Sequence, residues 1–285
     1  MGTADLVPGV SGGTMALVLG VYERLVAALR AATSLEPWSL LARGRVRAAW
    51  RAAHAPFLFP LVLGIGIAVV TLARVIDLAL ASFAVPLYAG FAGLILAAIT
   101  LLARRVVRWS MLPLTLLSSA LLVTTWLLRS APAQGSEHLA AVFFAGAIGI
   151  SALVLPGISG ALILVLLGQY GRIIGAIASL DLLTLLPFAL GALVGVATIA
   201  RLLDLLLRRA LDATMATLLG VMLASLQRVW PWTLGDGYLV RNVPPPGAGG
   251  ADGWLVAVIA LMVGFAAVML LERLARQRIV TSERR

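Results

Sequence analysis

The feature that most constrains this chain is a series of apolar runs, each about 16–26 residues long, the length an α-helix needs to cross about 30 Å of hydrocarbon. They lie at roughly 3–29, 56–80, 83–103, 110–128, 139–155, 158–178, 182–207, 212–229 and 253–271. Nine such runs predict a multi-span helical membrane protein. Composition agrees, at 61% hydrophobic and 12% charged residues, against about 45–50% and about 25% in globular chains. The net charge of +10 does not point to nucleic acid, because all 22 basic residues are arginines at the ends of apolar runs rather than in one stripe. The absence of cysteine excludes a disulfide framework, a thiolate nucleophile and a Cys-ligated metal. His54 and His138 lie far apart in loops, so neither a metal nor another cofactor is expected.

Self-comparison reveals two related halves. Pro8-Gly9-Val10-Ser11-Gly12 recurs as Pro156-Gly157-Ile158-Ser159-Gly160, and the same offset of about 148 carries Gly20 to Gly168, Tyr22 to Tyr170 and Arg24 to Arg172. Further on, an offset of about 127 carries Pro60 to Pro187, Gly64 to Gly191, Thr71 to Thr198, Arg74 to Arg201, Asp77 to Asp204 and Gly93 to Gly220. The change of offset locates an insertion in the first copy, the polar stretch around 34–55 with Arg43, Arg45, Arg47 and Arg51. The halves are therefore read as 1–130 and 131–285.

Arginine counts set the orientation, since cytoplasmic loops are enriched in basic residues. Placing 30–55, 104–108, 208–211 and 272–285 inside leaves only Arg129, Arg228 and Arg241 in outer loops, with the C-terminus cytoplasmic. Segments 56–80, 83–103 and 110–128 then run out, in, out, whereas 182–207, 212–229 and 253–271 run in, out, in. The pair 139–155 and 158–178 starts and finishes outside, as a hairpin broken at Pro156-Gly157. The expected fold is an all-α integral membrane protein with an inverted-topology repeat, each half a broken re-entrant hairpin plus three transmembrane helices. The first copy lacks the leading arm that 139–155 supplies to the second, which predicts a true start upstream of Met1. The N-terminus, with no basic residue ahead of its apolar run, does not look like a cleavable signal peptide.

The breaks are the candidate site. Proline lacks an N–H and disfavours helix in the residue before it, while glycine permits unusual backbone angles. A Pro-Gly inside an apolar run therefore opens a helix, which hydrocarbon tolerates only where the break is buried in protein or lines a polar cavity. A single Pro-Gly is more simply an ordinary turn, but the recurrence of Ser and Gly beside both copies favours a paired site. Ser11, Gly12, Gly13 and Thr14 collect backbone N–H groups and hydroxyls where a new helix starts, an arrangement suited to an anion. Ser159 and Gly160 repeat it in weaker form, with Ala161 and Leu162 in place of Gly13 and Thr14.

Buried arginine is costly in a bilayer. Arg74 with Asp77, and Arg201 with Asp204, are spaced to pair on one helix face, which leaves self-neutralisation and a ligand role about evenly balanced. Arg24 and Arg172 follow their prolines by 16 residues, about 24 Å along a continuous helix, which puts them at an interface where they can attract phosphate unless the helices fold back. Asp5 has no acidic counterpart in the second copy; it either binds a coupling proton or cation or caps a helix.

Ala4-Asp5-Leu6-Val7-Pro8-Gly9-Val10-Ser11-Gly12-Gly13-Thr14, followed by Gly20-Val21-Tyr22-Glu23-Arg24, resembles the signature of the DUF368 family of bacterial membrane proteins. Leu155-Pro156-Gly157-Ile158-Ser159-Gly160, with Gly168 and Tyr170, is similar to that family's second repeat. The resemblance covers nearly the whole chain. It implies transport of a polyprenyl-phosphate lipid substrate, undecaprenyl phosphate returning from the outer to the inner leaflet of the bacterial cytoplasmic membrane. The rivals are a soluble-anion carrier and a membrane-embedded polyprenyl-diphosphate phosphatase. The phosphatase motif resembles Pro-Gly-x-Ser-Arg-Ser-Gly with added glutamates, and here Gly12 and Gly160 stand where its arginine would be, so no catalytic residue is assigned. The sequence is compatible with a homo-oligomer.

Overall fold

The computed structural model describes residues 1–2, 11–130, 135–234, 241–245 and 253–283; the side chains of residues 69, 73, 77, 233–234, 241 and 275–283 are outside that description. Asp5, Pro8 and Gly9 therefore lie outside the described residues, as does the side chain of Asp77. The described fold is helical, with one two-residue antiparallel ladder, Thr233–Leu234 with Arg241–Asn242.

In chain order the helices are α1 (Gly12–Val18), α2 (Tyr22–Ala32), α3 (Leu35–Ala42), α4 (Val46–Ala52), α5 (Ala55–Ala103), α6 (Met111–Arg129), α7 (Leu139–Val154), α8 (Gly160–Leu166), α9 (Tyr170–Ser179), α10 (Leu182–Arg209), α11 (Leu211–Ser225) and α12 (Trp254–Glu283). Among the described residues, five stretches are long and apolar enough to cross a bilayer: two within α5, then α6, α10 and α12. A sixth is added if α8 and α9, bent by 111°, form one broken span. Of the nine apolar runs, those over 3–29 and 158–178 are cut at Gly20 and Gly168, and α7 and α11, at 16 and 15 residues, are about 24 and 22 Å long, short of a full crossing.

The cuts follow local chemistry. Gly20 (φ +68°) and Gly168 (φ +66°) end α1 and α8 in the left-handed region that glycine enters without penalty. At each, two backbone bonds close the turn: Gly20 N–H to Leu17 and Val21 N–H to Ala16, then Gly168 N–H to Val165 and Gln169 N–H to Leu164. In α5 the backbone leaves helical geometry at Phe83 (φ −140°, ψ 43°). Pro86 explains this, since its ring opposes the carbonyl of Ser82 and it has no N–H to give it. The joint between α10 and α11 sits at Ala210 (φ −145°, ψ 55°), which the offset of about 127 read from the sequence carries onto Phe83. Backbone geometry thus repeats where sequence letters do not. Asp181 caps α10 by accepting the Leu183 N–H at 3.1 Å, and Arg208 and Arg209 occupy its last turn, each suited to the helix dipole.

Three helix pairs hold the bundle together, and glycines let their backbones touch. On α10, a Cβ at Gly191 would meet the Phe143 carbonyl oxygen of α7, and one at Gly195 that of Ala147. On α5, a Cβ at Gly93 would meet the Leu261 carbonyl oxygen of α12; on α11, one at Gly220 would meet that of Leu117 in α6. Gly93 and Gly220 match in sequence at the offset of about 127, and receive α12 and α6 respectively. Small residues that admit a neighbouring backbone are the usual basis of helix packing in lipid, where no hydrophobic force separates helix from solvent. Gly64, the match of Gly191, has nothing within 4 Å. Gly191→Leu should therefore lower the thermal midpoint in detergent, by about 1–3 kcal/mol of overpacking, and Gly64→Leu should leave it unchanged. Equal effects at the two sites would refute this packing.

The polar contacts gather at two ends. At one, Arg105 pairs with Glu23 at 2.7 Å, Arg30 with Asp204 at 2.7 Å, and Asp212 accepts the Val107 and Arg108 N–H groups at 2.8 and 3.1 Å. At the other, Arg129 donates to Gln227 at 3.2 Å, Arg228 donates to the Leu128 carbonyl and Asn242 donates to the Gln227 carbonyl at 3.0 Å. The first end holds loops that the arginine count placed inside, the second those placed outside. Helices α6 and α11 run parallel from the first to the second.

Candidate functional site

The second break is the fully described one. Leu155, preceding Pro156, is extended (φ −75°, ψ 129°), as proline requires of its neighbour, and ends α7. Gly157 takes φ +89°, and its backbone lies so close to α11 that a Cβ would stand 2.9 Å from the Met222 Cα. Only glycine meets both demands. Ser159 is extended at the start of α8, which returns along α7 with the Gly149 carbonyl oxygen 2.7 Å from where a Gly160 Cβ would be.

The first motif is described from Ser11 onward. Ser11 caps α1, its hydroxyl oxygen accepting the Gly13 N–H at 3.1 Å. The same hydroxyl donates to the Leu155 carbonyl at 3.4 Å, and the Gly157 N–H donates to the Thr14 hydroxyl oxygen at 3.0 Å. Gly13 packs on the second break: a Cβ there would lie 3.0 Å from the Val154 oxygen and 3.2 Å from the Pro156 nitrogen. Ser11 and Thr14 are each 1% exposed. Two motifs separated by about 148 residues of chain therefore share one buried polar junction. An otherwise orphaned Gly157 N–H would cost about 1–3 kcal/mol, so Thr14 sustains the opened backbone directly.

The arginines stand elsewhere. The continuous helix expected to carry Arg24 and Arg172 about 24 Å from their prolines is corrected: the chain folds back at Gly20 and Gly168, putting both residues on the helices that follow. The Arg24 guanidinium lies over the Phe57 ring, 4.4 Å from its centroid. Arg172 donates to the Ser136 carbonyl at 3.1 Å, and Arg74 is exposed on α5. The Arg201–Asp204 pair is also corrected. Asp204 bonds Arg30 of α2 at 2.7 Å and Arg208, one turn along α10, at 3.0 Å, while Arg201 donates to the Thr33 carbonyl at 3.1 Å. The Asp204 side chain is only 11% exposed. A carboxylate with that little access to water is best satisfied by two guanidinium groups, and spacing along one helix did not reveal that one of them comes from α2.

Leu155, Met222 and Arg30 are site or bracing residues that the sequence reading missed. Leu155 acts through its carbonyl and Met222 through its backbone, so neither side chain carried a signal. Arg30 appeared only as one of the basic loop residues.

A family described as undecaprenyl phosphate translocase-like matches residues 1–242. The chain is similar to a polyprenyl-phosphate transporter of Vibrio cholerae serotype O1, 32% identical over 294 residues that cover 97% of this chain and 94% of that protein. It is also similar to a polyprenyl-phosphate transporter of Staphylococcus aureus, 26% identical over 295 residues with the same coverage of each. No solved structure matches the chain.

Proposed function

Since the chain belongs to the undecaprenyl phosphate translocase-like family, we propose that it is a polyprenyl-phosphate transporter that returns undecaprenyl phosphate from the outer to the inner leaflet of the bacterial cytoplasmic membrane. The observation that carries this reading at the level of residues is the junction of the two motifs, where Ser11 and Thr14 bond the opened backbone at Leu155 and Gly157. A lipid phosphate leaves its tail in the bilayer, so the protein must shelter the anionic head alone. The idealised cost of bringing an ion of that size into low dielectric is of order 20 kcal/mol, and donors placed at the crossing point offset it. In the described state the Ser11 and Thr14 hydroxyls are occupied by the opposite break. A phosphate entering the junction exchanges those bonds for its own oxygens, and the two halves part around it. Gly12, Gly13, Ser159 and Gly160 supply backbone N–H groups to the same junction; Arg24, Arg172, Arg74 and Arg201 act as peripheral cations on the route. Asp5 is the candidate for coupling to a proton or cation.

The halves 1–130 and 131–285 form the inverted repeat in this proposal, with the hairpins re-entrant and the C-terminus cytoplasmic. The matched turns at Gly20 and Gly168, the matched joints at Phe83 and Ala210 and the reciprocal packing of Gly93 and Gly220 support it. The phosphatase reading is disfavoured because the Ser11 hydroxyl donates to a backbone carbonyl, which does not activate a nucleophile.

Leaflet-resolved detection of undecaprenyl phosphate in cells lacking this protein should show accumulation in the outer leaflet. An unchanged distribution, with paralogues also removed, would refute transport. Release of phosphate from undecaprenyl diphosphate by the purified protein would instead favour the enzyme.

A further inference from the structure

The insertion that interrupts the first repeat is unused by the reading above, and it has the physical character of a membrane-surface element. Helices α3 and α4 span 8 and 7 residues, about 12 and 10 Å at about 1.5 Å per residue, far short of about 30 Å of hydrocarbon. They give the protein core almost nothing, since α3 buries only Pro37 and α4 only Ala49. Yet Leu35, Trp38, Leu41, Val46 and Trp50 are 47–85% exposed. Leu35, Trp38 and Leu41 follow one another every three residues along α3; Val46 and Trp50 are four apart on α4, so each helix carries an apolar stripe. Arg43, Arg45, Arg47 and Arg51, all exposed, alternate with these stripes.

Position fixes what the stripes meet. The Trp50 ring lies 5.8 Å from that of Phe59, in the opening turns of α5, where a membrane-length stretch begins at Ala55. His54, in the left-handed region at φ 52°, makes the sharp reversal between the two helices. Helix α4 therefore lies beside a span at the level where that span enters the bilayer. The preceding helix α2 is tied by Glu23 and Arg30 to the end of the molecule that carries Arg105 and Arg208. Tryptophan favours the headgroup level, and an in-plane helix with an apolar stripe and arginines binds in proportion to buried apolar area and to anionic lipid charge.

We propose that α3 and α4 form an interfacial anchor, lying in the bilayer surface at the basic end of the protein, with the apolar stripes in the headgroup-to-acyl boundary and Arg43, Arg45, Arg47 and Arg51 holding anionic phospholipid of the bulk bilayer. The anchor braces the first residues of α5 and the end of α2 against the membrane.

Because the chain has no cysteine, spin labels can be placed singly by Trp38→Cys, Leu41→Cys and, on the opposite face, Glu36→Cys. The protein is reconstituted in vesicles of phosphatidylcholine alone and in vesicles also containing phosphatidylglycerol. Labels at 38 and 41 should collide severalfold more with oxygen than with a water-soluble nickel complex, and the label at 36 should show the reverse. Phosphatidylglycerol should deepen the labels at 38 and 41, and the combined R43Q/R45Q/R47Q/R51Q variant should lose that deepening while remaining folded by its melting curve. Equal exposure to the nickel complex at all three sites would overturn the anchor. Labels at 38 and 41 inaccessible to both reagents would overturn it too, because that marks a protein partner instead of lipid. Deepening that is independent of the arginines would overturn the role assigned to them.

Discussion

Thr14→Val should reduce binding and leaflet transfer of undecaprenyl phosphate on the order of ten- to a hundredfold while leaving a folded, membrane-inserted protein. The side chain keeps its size and loses the hydroxyl that, once the Gly157 N–H bonded to it at 3.0 Å has passed to the ligand, donates to a phosphate oxygen in the proposed exchange. A hydrogen bond to a charged group contributes about 1.5–3 kcal/mol, and each 1.4 kcal/mol is about tenfold in affinity. Two other costs are small by comparison. Valine fits the packing volume, and α1 begins at the Ser11 cap, which the substitution does not touch. Thr14→Ser should restore most of the activity, because it returns an oxygen to the same place. Gly157→Ala attacks the junction from the other side, adding a Cβ 2.9 Å from the Met222 backbone at φ +89°; it should lower both the melting temperature and transfer. Wild-type transfer by Thr14→Val, in protein whose melting curve is unchanged, would remove the junction from the transport path.

Asp204→Ala should be the most destabilising change at the basic end, because it leaves Arg30 and Arg208 without the carboxylate that holds them. Breaking a fully buried pair costs about 3–5 kcal/mol, whereas an exposed pair is worth about 0–1 kcal/mol. Asp204 is 11% exposed but Arg30 is 50% and Arg208 69% exposed, so solvent screens the cations. An intermediate loss of about 1–3 kcal/mol follows from that comparison. A double-mutant cycle with Arg30→Ala separates the tie between α2 and α10 from the local contact with Arg208. A coupling energy above about 0.5 kcal/mol is expected for residues in direct contact; coupling indistinguishable from zero would show that Asp204 does not join the two helices. The same cycle run with transport as the readout tests whether parting α2 from α10 accompanies opening toward the basic end.

Several elements were legible in the sequence because their causes are local. A long apolar run declares a bilayer whatever it packs against, and the run over 110–128 became α6. A proline following an extended residue, with a glycine after it, declares an opened helix. That reading of Pro156-Gly157 agrees with Leu155 in the β region and Gly157 at φ +89°. Gly20 and Gly168 were visible as matched letters but not as turns, although their place one residue past a short apolar stretch is the usual signature of a helix C-terminus. Mistaking each folded-back pair for one continuous helix put Arg24 and Arg172 at the wrong distance from the breaks. The pairing of Asp204 was misread for a different reason. Spacing along one helix shows which partners are possible and says nothing about competitors from another.

The amino-acid order by itself determined that the chain is a helical membrane protein, that it carries two related Pro-Gly motifs and where its basic residues fall along the chain, since run length, imino-acid geometry and charge position act within a few turns of backbone. Only the tertiary structure decided that the two motifs bond one another, through Ser11 with Leu155 and Thr14 with Gly157, and that Asp204 holds α2. Those contacts join residues more than 140 positions apart. Their partners are chosen by which helices pack together, a choice made by backbone approach at glycines such as Gly93, Gly191 and Gly220, whose missing side chains leave no letter to say what they face.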